Sequence, residues 1–160
     1  MKNRYEMADE YIAIIGHITC QIEHICMWSD TYKLTPKLLK NLRQQRSEVG
    51  QKLFAILGLS YKISNKRMEE FKNYWCYIKH YCSTRIHMIE AVEQNATYGF
   101  NNDVDEMRKM IEVYDINFWS WLGDKLNLPK RVKKAEKKCR GCKKDIKVKK
   151  TNYSLDEDEI

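Results

Sequence analysis

One stretch fixes what this chain can become. Over residues 68–92, MEEFKNYWCYIKHYCSTRIHMIEAV, the apolar side chains Phe71, Trp75, Ile78, Cys82, Ile89 and Val92 recur at spacings of three and four. At about 100° per residue they share one stripe of a helix, and that stripe must be buried. Tyr74, Tyr81 and Met88 widen it on one flank, and so broad a face asks for partners on more than one side, as in a helical bundle. Cys76, His80 and His87 fall on the opposite side of the same wheel.

The other periodic segments are of the same kind. Residues 4–29 predict a first helix with Ile12, Ile15, Ile18, Ile22 and Ile25 on its inner stripe, Thr19 and Cys26 within it, and His17, Cys20 and His24 opposite. Thr35 followed by Pro36 is a helix start, since proline at the first helical position lacks an N–H that would go unused there anyway. That second helix runs to about Leu57, with Leu38, Leu42, Val49, Leu53 and Ile56 inward and Lys37, Lys40, Arg43 and Gln44 outward. Ser64 or Asn65 caps the third helix, and Gly99 gives it a left-handed end near Tyr98. Asn102 or Asp103 caps the fourth, whose apolar face is Val104, Met107, Ile111, Tyr114, Phe118 and Leu122, flanked by Trp119 and Trp121 and stopped at Pro129.

With only 2 Pro and 6 Gly, and no alternating Val/Ile/Thr runs, neither a sandwich nor a βαβ fold can be built. The expectation is all-α: an up-down-up-down four-helix bundle over 1–128 with a basic, largely disordered tail over 129–160. In that topology the first and third helices are diagonal. No apolar run reaches transmembrane length and the N-terminus has no signal-peptide pattern, so the expected location is cytoplasmic, with reduced thiols.

Charge is unevenly placed. The chain carries +7 overall, but 12 of its 29 Lys and Arg lie between 128 and 155, and the rest of the chain is close to neutral. Lys130, Arg131, Lys133, Lys134, Lys137, Lys138, Arg140, Lys143 and Lys144 form an arm suited to neutralising phosphates without reading sequence, and the acidic 156–159 could fold back on it. Lys37, Lys40 and Arg43 on the second helix could extend that surface. Arg46 and Arg85, with Asp115, stand in or beside apolar stripes, where a charge needs an ion-pair partner or opens onto an interface.

Cys139 and Cys142 have the spacing of half a zinc knuckle with no second half, so they are incidental thiols, a metal site shared between chains or with the body, or a redox pair. The two His/Cys groups, His17/Cys20/His24 and Cys76/His80/His87, point away from their own cores and would meet only between subunits. There is no phosphate-binding Gly loop, nucleophile elbow or di-iron Glu-x-x-His pairing; no catalytic residue and no cofactor are assigned.

The order of features, LTPKLL, NLRQQRSEVGQKLFAIL, KISNK, MEEF and finally INFWSWLGDKL, resembles the four-helix-bundle family of ribosomal RNA intervening-sequence proteins and accessory variability determinants (Avd) of diversity-generating retroelements. In that family the last helix closes on a motif like G-R-M-L-G-G-W-L-K. Trp121-Leu122 and Lys125 match it here, while Phe118, Trp119 and Ser120 depart from it. The resemblance covers about residues 30–127. It implies a ring-like homopentamer that binds RNA or DNA and a partner reverse transcriptase, with Arg43 and Arg46 as nucleic-acid contacts; a near-neutral body is a departure from it. Two other readings stand beside it: a metal- or haem-binding bundle using intersubunit His/Cys faces, and a phage or plasmid decoy that docks a host protein through an aromatic surface near Trp119 and Trp121.

Overall fold

A computed structural model describes residues 3–28, 35–58 and 62–128. Its elements are four helices, α1 (Arg4–Met27), α2 (Thr35–Leu57), α3 (Asn65–Thr97) and α4 (Asn101–Leu126), with no strand among the described residues. The chain divides into two units, Met1–Met107 and Arg108–Ile160, so the boundary falls inside α4. The tail, including every basic arm residue and both Cys139 and Cys142, lies outside the described residues.

The helix ends follow local chemistry. Asn3 caps α1 in a full capping box: its side chain accepts from the N–H groups of Tyr5 and Glu6, and Glu6 accepts from the Asn3 N–H in return. Ser64, rather than Asn65, caps α3 by accepting from the Arg67 N–H at 3.2 Å. Gly99 closes α3 at φ 80°, with Phe100 N–H returning to the Asn95 carbonyl at 2.9 Å. α4 begins at Asn101, two or three residues earlier than a cap at Asn102 or Asp103 predicts, because the Val104 N–H already reaches the Phe100 carbonyl. Its far end is set by Asn127 at φ 58°, with Leu128 N–H bonded to the Gly123 carbonyl, before Pro129 is reached.

In the first unit the predicted stripes are largely buried. Ile12, Ile15, Ile22 and Ile25 from α1, Leu53 from α2, and Phe71, Ile78, Cys82 and Val92 from α3 are core, joined by Tyr5, Ala8, Phe54, Leu57, Tyr81 and Ile86. Two expectations fail at the helix margins: Cys26 is exposed, and Leu38, in the first turn of α2, is 43% exposed. Of the second unit's residues, Phe118, Trp119, Leu122 and Leu126 are buried.

The arrangement of the first three helices corrects the diagonal placement of α1 and α3. α1 packs directly on both α2 and α3, and α2 meets α3 less extensively. Gly16 is the reason α1 comes so close: a Cβ there would stand 2.5 Å from the Cys82 carbonyl oxygen and 2.6 Å from Ile86 Cγ1. Along this seam Gly16 faces Cys82 and Ile86, and Cys20 faces Ser83 and His87, so contacts advance in the same sense on both helices. Between α2 and α3 they advance in opposite senses, from Gly50 against Trp75 and Phe71 to Gly58 against Arg67, with the Phe54 and Phe71 rings edge to face at 5.2 Å.

Candidate nucleic-acid interface and the cysteine-histidine cluster

Lys37, Lys40, Arg43 and Arg46 are spaced by three, so they lie along one ridge of α2, each next to the one before. Lys37, Lys40 and Arg43 are exposed; Arg46, farthest along, is half-buried. Its Nη1 donates to the Thr19 hydroxyl at 3.3 Å, and that hydroxyl donates in turn to the Ile15 carbonyl at 2.7 Å. The Nε of Arg46 is buried with no hydrogen-bond partner. Among the described residues its hydrogen-bond acceptor is this neutral hydroxyl, with Glu23 close enough to act through its charge.

Lys79 of α3 completes the face, although its place in the sequence marks it only as one more helix lysine. Its ammonium lies 5.6 Å above the Trp75 ring, one helical turn back. Burial, then the charges of Arg46 and Arg43, hold its pKa below the ordinary value. Burial first and Arg43 second do the same to Arg46. Arg43 thus acts on Arg46, and both act on Lys79, which places the three cations near one another across α2 and α3, with Arg46 and Lys79 partly dehydrated. The available signal was the i,i+4 pair of Trp75 and Lys79 beside an outward basic ridge.

The two His/Cys faces also behave differently from expectation. Because Gly16 brings α1 onto α3, Cys20 and His87 meet within one chain: Sγ lies 3.7 Å from His87 Nε2 and 3.8 Å from the Ser83 carbonyl. The same Nε2 is 3.2 Å from Glu23 Oε2, and Nδ1 lies 4.0 Å from Glu90. Donor atoms of Cys20, Glu23 and His87 all lie within 4.8 Å of one another. Burial, followed by the charges of Glu23 and Glu90, pushes the Cys20 thiol from 9.0 up to about 11. His17, His24, Cys76 and His80 are exposed and do not join this group. Glu23 was legible as part of Cys20-x-x-Glu23, a pair one helical turn apart.

Trp119 is 4% exposed and packs edge to face with Phe118 at 5.6 Å, which withdraws it from the aromatic docking surface expected around Trp119 and Trp121. Among the described residues no helix is long and apolar enough to cross a membrane. No protein-family model, curated protein or solved structure matches this chain.

Proposed function

We propose that this protein is a non-catalytic accessory protein that holds RNA or DNA by its phosphate backbone. The observation that supports this most is the gathering of Arg43, Arg46 and Lys79 where α2 meets α3, with the exposed Lys40 one turn before Arg43 and Lys37 farther round the helix. Arg46 and Lys79 are held below their ordinary pKa by burial first and by neighbouring like charge second, and a polyanion laid across them offsets both costs. Arginines and lysines on a helix ridge bind phosphate without selecting a base sequence, so the binding is electrostatic tethering. The basic arm from Lys130 to Lys144 adds to the same interaction by its composition.

The finer architecture proposed with this function is an up-down-up-down bundle over 1–128 with a tail over 129–160, acting in the cytoplasm as a homo-oligomer, pentameric as the Avd resemblance implies. The same resemblance supplies the partner, a reverse transcriptase of a diversity-generating retroelement, beside which the bundle positions the template or product strand.

Fluorescence anisotropy with labelled RNA and DNA of several unrelated sequences tests the tethering role. Replacing Arg43 and Lys79 by Gln is expected to weaken binding about tenfold or more, by the same factor on every sequence. An affinity unchanged by the pair, or lost on one sequence alone, refutes it.

A further inference from the structure

We propose that Cys20, Glu23 and His87 form a binding site for a divalent metal ion of the zinc class, bridging α1 to α3. This goes beyond nucleic-acid binding and stands on other residues.

Zinc held by sulfur at about 2.3 Å, by imidazole nitrogen at about 2.0 Å and by carboxylate oxygen at about 2.1 Å in tetrahedral geometry sets its donors roughly 3.4–3.6 Å apart. Here Sγ of Cys20 and Nε2 of His87 are 3.7 Å apart, and Nε2 and Oε2 of Glu23 are 3.2 Å apart. The remaining sulfur-to-carboxylate edge falls within the 4.8 Å that encloses all three donors. Glu23 is exposed, so its side chain has room to move as the metal binds.

The chemistry of the donors agrees with the geometry. One thiolate, one imidazole and one carboxylate suit zinc or cobalt, whereas magnesium and calcium seek oxygen donors alone. A thiolate and a carboxylate together balance a divalent charge, and the thiol proton leaves to solvent as the metal–sulfur bond forms. Glu90 lies one turn beyond His87 with a carboxylate oxygen 4.0 Å from Nδ1, too far for a hydrogen bond as it stands but near enough for its negative charge to favour a proton on that nitrogen, which leaves Nε2 as the donor to metal. A carboxylate behind a ligating histidine is the usual arrangement at zinc sites.

The fold holds the donors in place before any metal arrives. Cys20 and Glu23 are fixed on one face of α1 by their three-residue spacing, and the Gly16–Cys82 contact one turn away sets the distance to α3. Cys20 is half-buried while Glu23 and His87 are exposed, so an ion can enter from solvent, and the fourth coordination position is left to water. Bound metal would pin α1 to α3.

The test uses the full chain with Cys139→Ser and Cys142→Ser, which removes the tail thiols as competing donors. Titration with Co(II) is expected to give one equivalent bound, with a sulfur-to-cobalt charge-transfer band that added Zn(II) abolishes and a midpoint of thermal unfolding that rises with the metal. Cys20→Ser should abolish the band, and His87→Gln and Glu23→Gln should each weaken cobalt binding about tenfold or more; the latter two are surface changes that leave the fold intact. Cys76→Ser should change nothing. A band that survives Cys20→Ser, an affinity indifferent to His87→Gln, or no cobalt binding at all overturns the proposal.

Discussion

Thr19 shows how one hydroxyl decides the fate of a charge. It donates to the Ile15 carbonyl and accepts from Arg46, so a guanidinium in a half-buried place is bonded to a neutral hydroxyl. Thr19→Val keeps the shape but leaves Arg46 Nη1 without its acceptor, which should destabilise the protein by about 1–3 kcal/mol in a denaturant titration. Adding Arg46→Met removes the stranded donor too and should recover most of that loss; a double-mutant cycle with no coupling would show the contact to be idle. Cys20 gives a second residue-level expectation. Its thiol is raised to about 11, so its alkylation rate should be low at neutral pH and climb about tenfold per pH unit until near that value. The linkage has the same sign: the folded chain keeps a proton that the unfolded chain loses near 9, so this group's contribution to stability is present below pH 9 and is lost as pH rises towards 11. Peptide mapping after timed alkylation reads the rate directly, and the fully buried Cys82 should stay unlabelled throughout.

At the scale of helices, the seam between α1 and α3 rests on the absence of a side chain. A methyl group at position 16 would collide with the Cys82 carbonyl, part of a helix backbone that cannot swing aside, and with Ile86. Gly16→Ala should therefore push α1 away from α3 at a cost of about 1–3 kcal/mol, lowering the thermal midpoint by several degrees. A midpoint that rose instead, as helix propensity alone would dictate, would mean that the seam yields freely. The isoleucine and aromatic spacings made the helices and most of the core legible in the sequence, because burial of a stripe is a property of one helix considered alone. Which stripe meets which is a property of two. Nothing on the wheel of α1 or of α3 reveals that Gly16 lets their backbones touch, so the Cys20 and His87 faces read as remote from each other when they are adjacent. Lys79 was overlooked for the same cause: its partners Arg43 and Arg46 belong to another helix. Cys26 and Leu38 failed in the opposite direction, since a place on the apolar stripe does not guarantee cover near a helix end.

For the molecule as a whole, a chain with 29 Lys and Arg reads as basic, yet most of its excess sits beyond residue 128. What the folded helices contribute is a small, concentrated group of cations whose closeness gives it more field than its number suggests. The two sites described here also share a neighbour, because Glu23 acts on Arg46 through its charge and lies against His87. A metal that engaged Glu23 would remove a negative charge from the edge of the cationic face, so zinc is expected to tighten nucleic-acid binding rather than loosen it. The salt dependence of that binding bears most directly on the account. For the full chain on duplex DNA, the logarithm of the association constant should fall linearly with the logarithm of salt concentration, and each face cation neutralised should make the slope shallower by about 0.9. With Arg43→Gln and Lys79→Gln together the slope should be shallower by about 1.8; a slope identical to that of the unaltered protein would contradict phosphate tethering by this face.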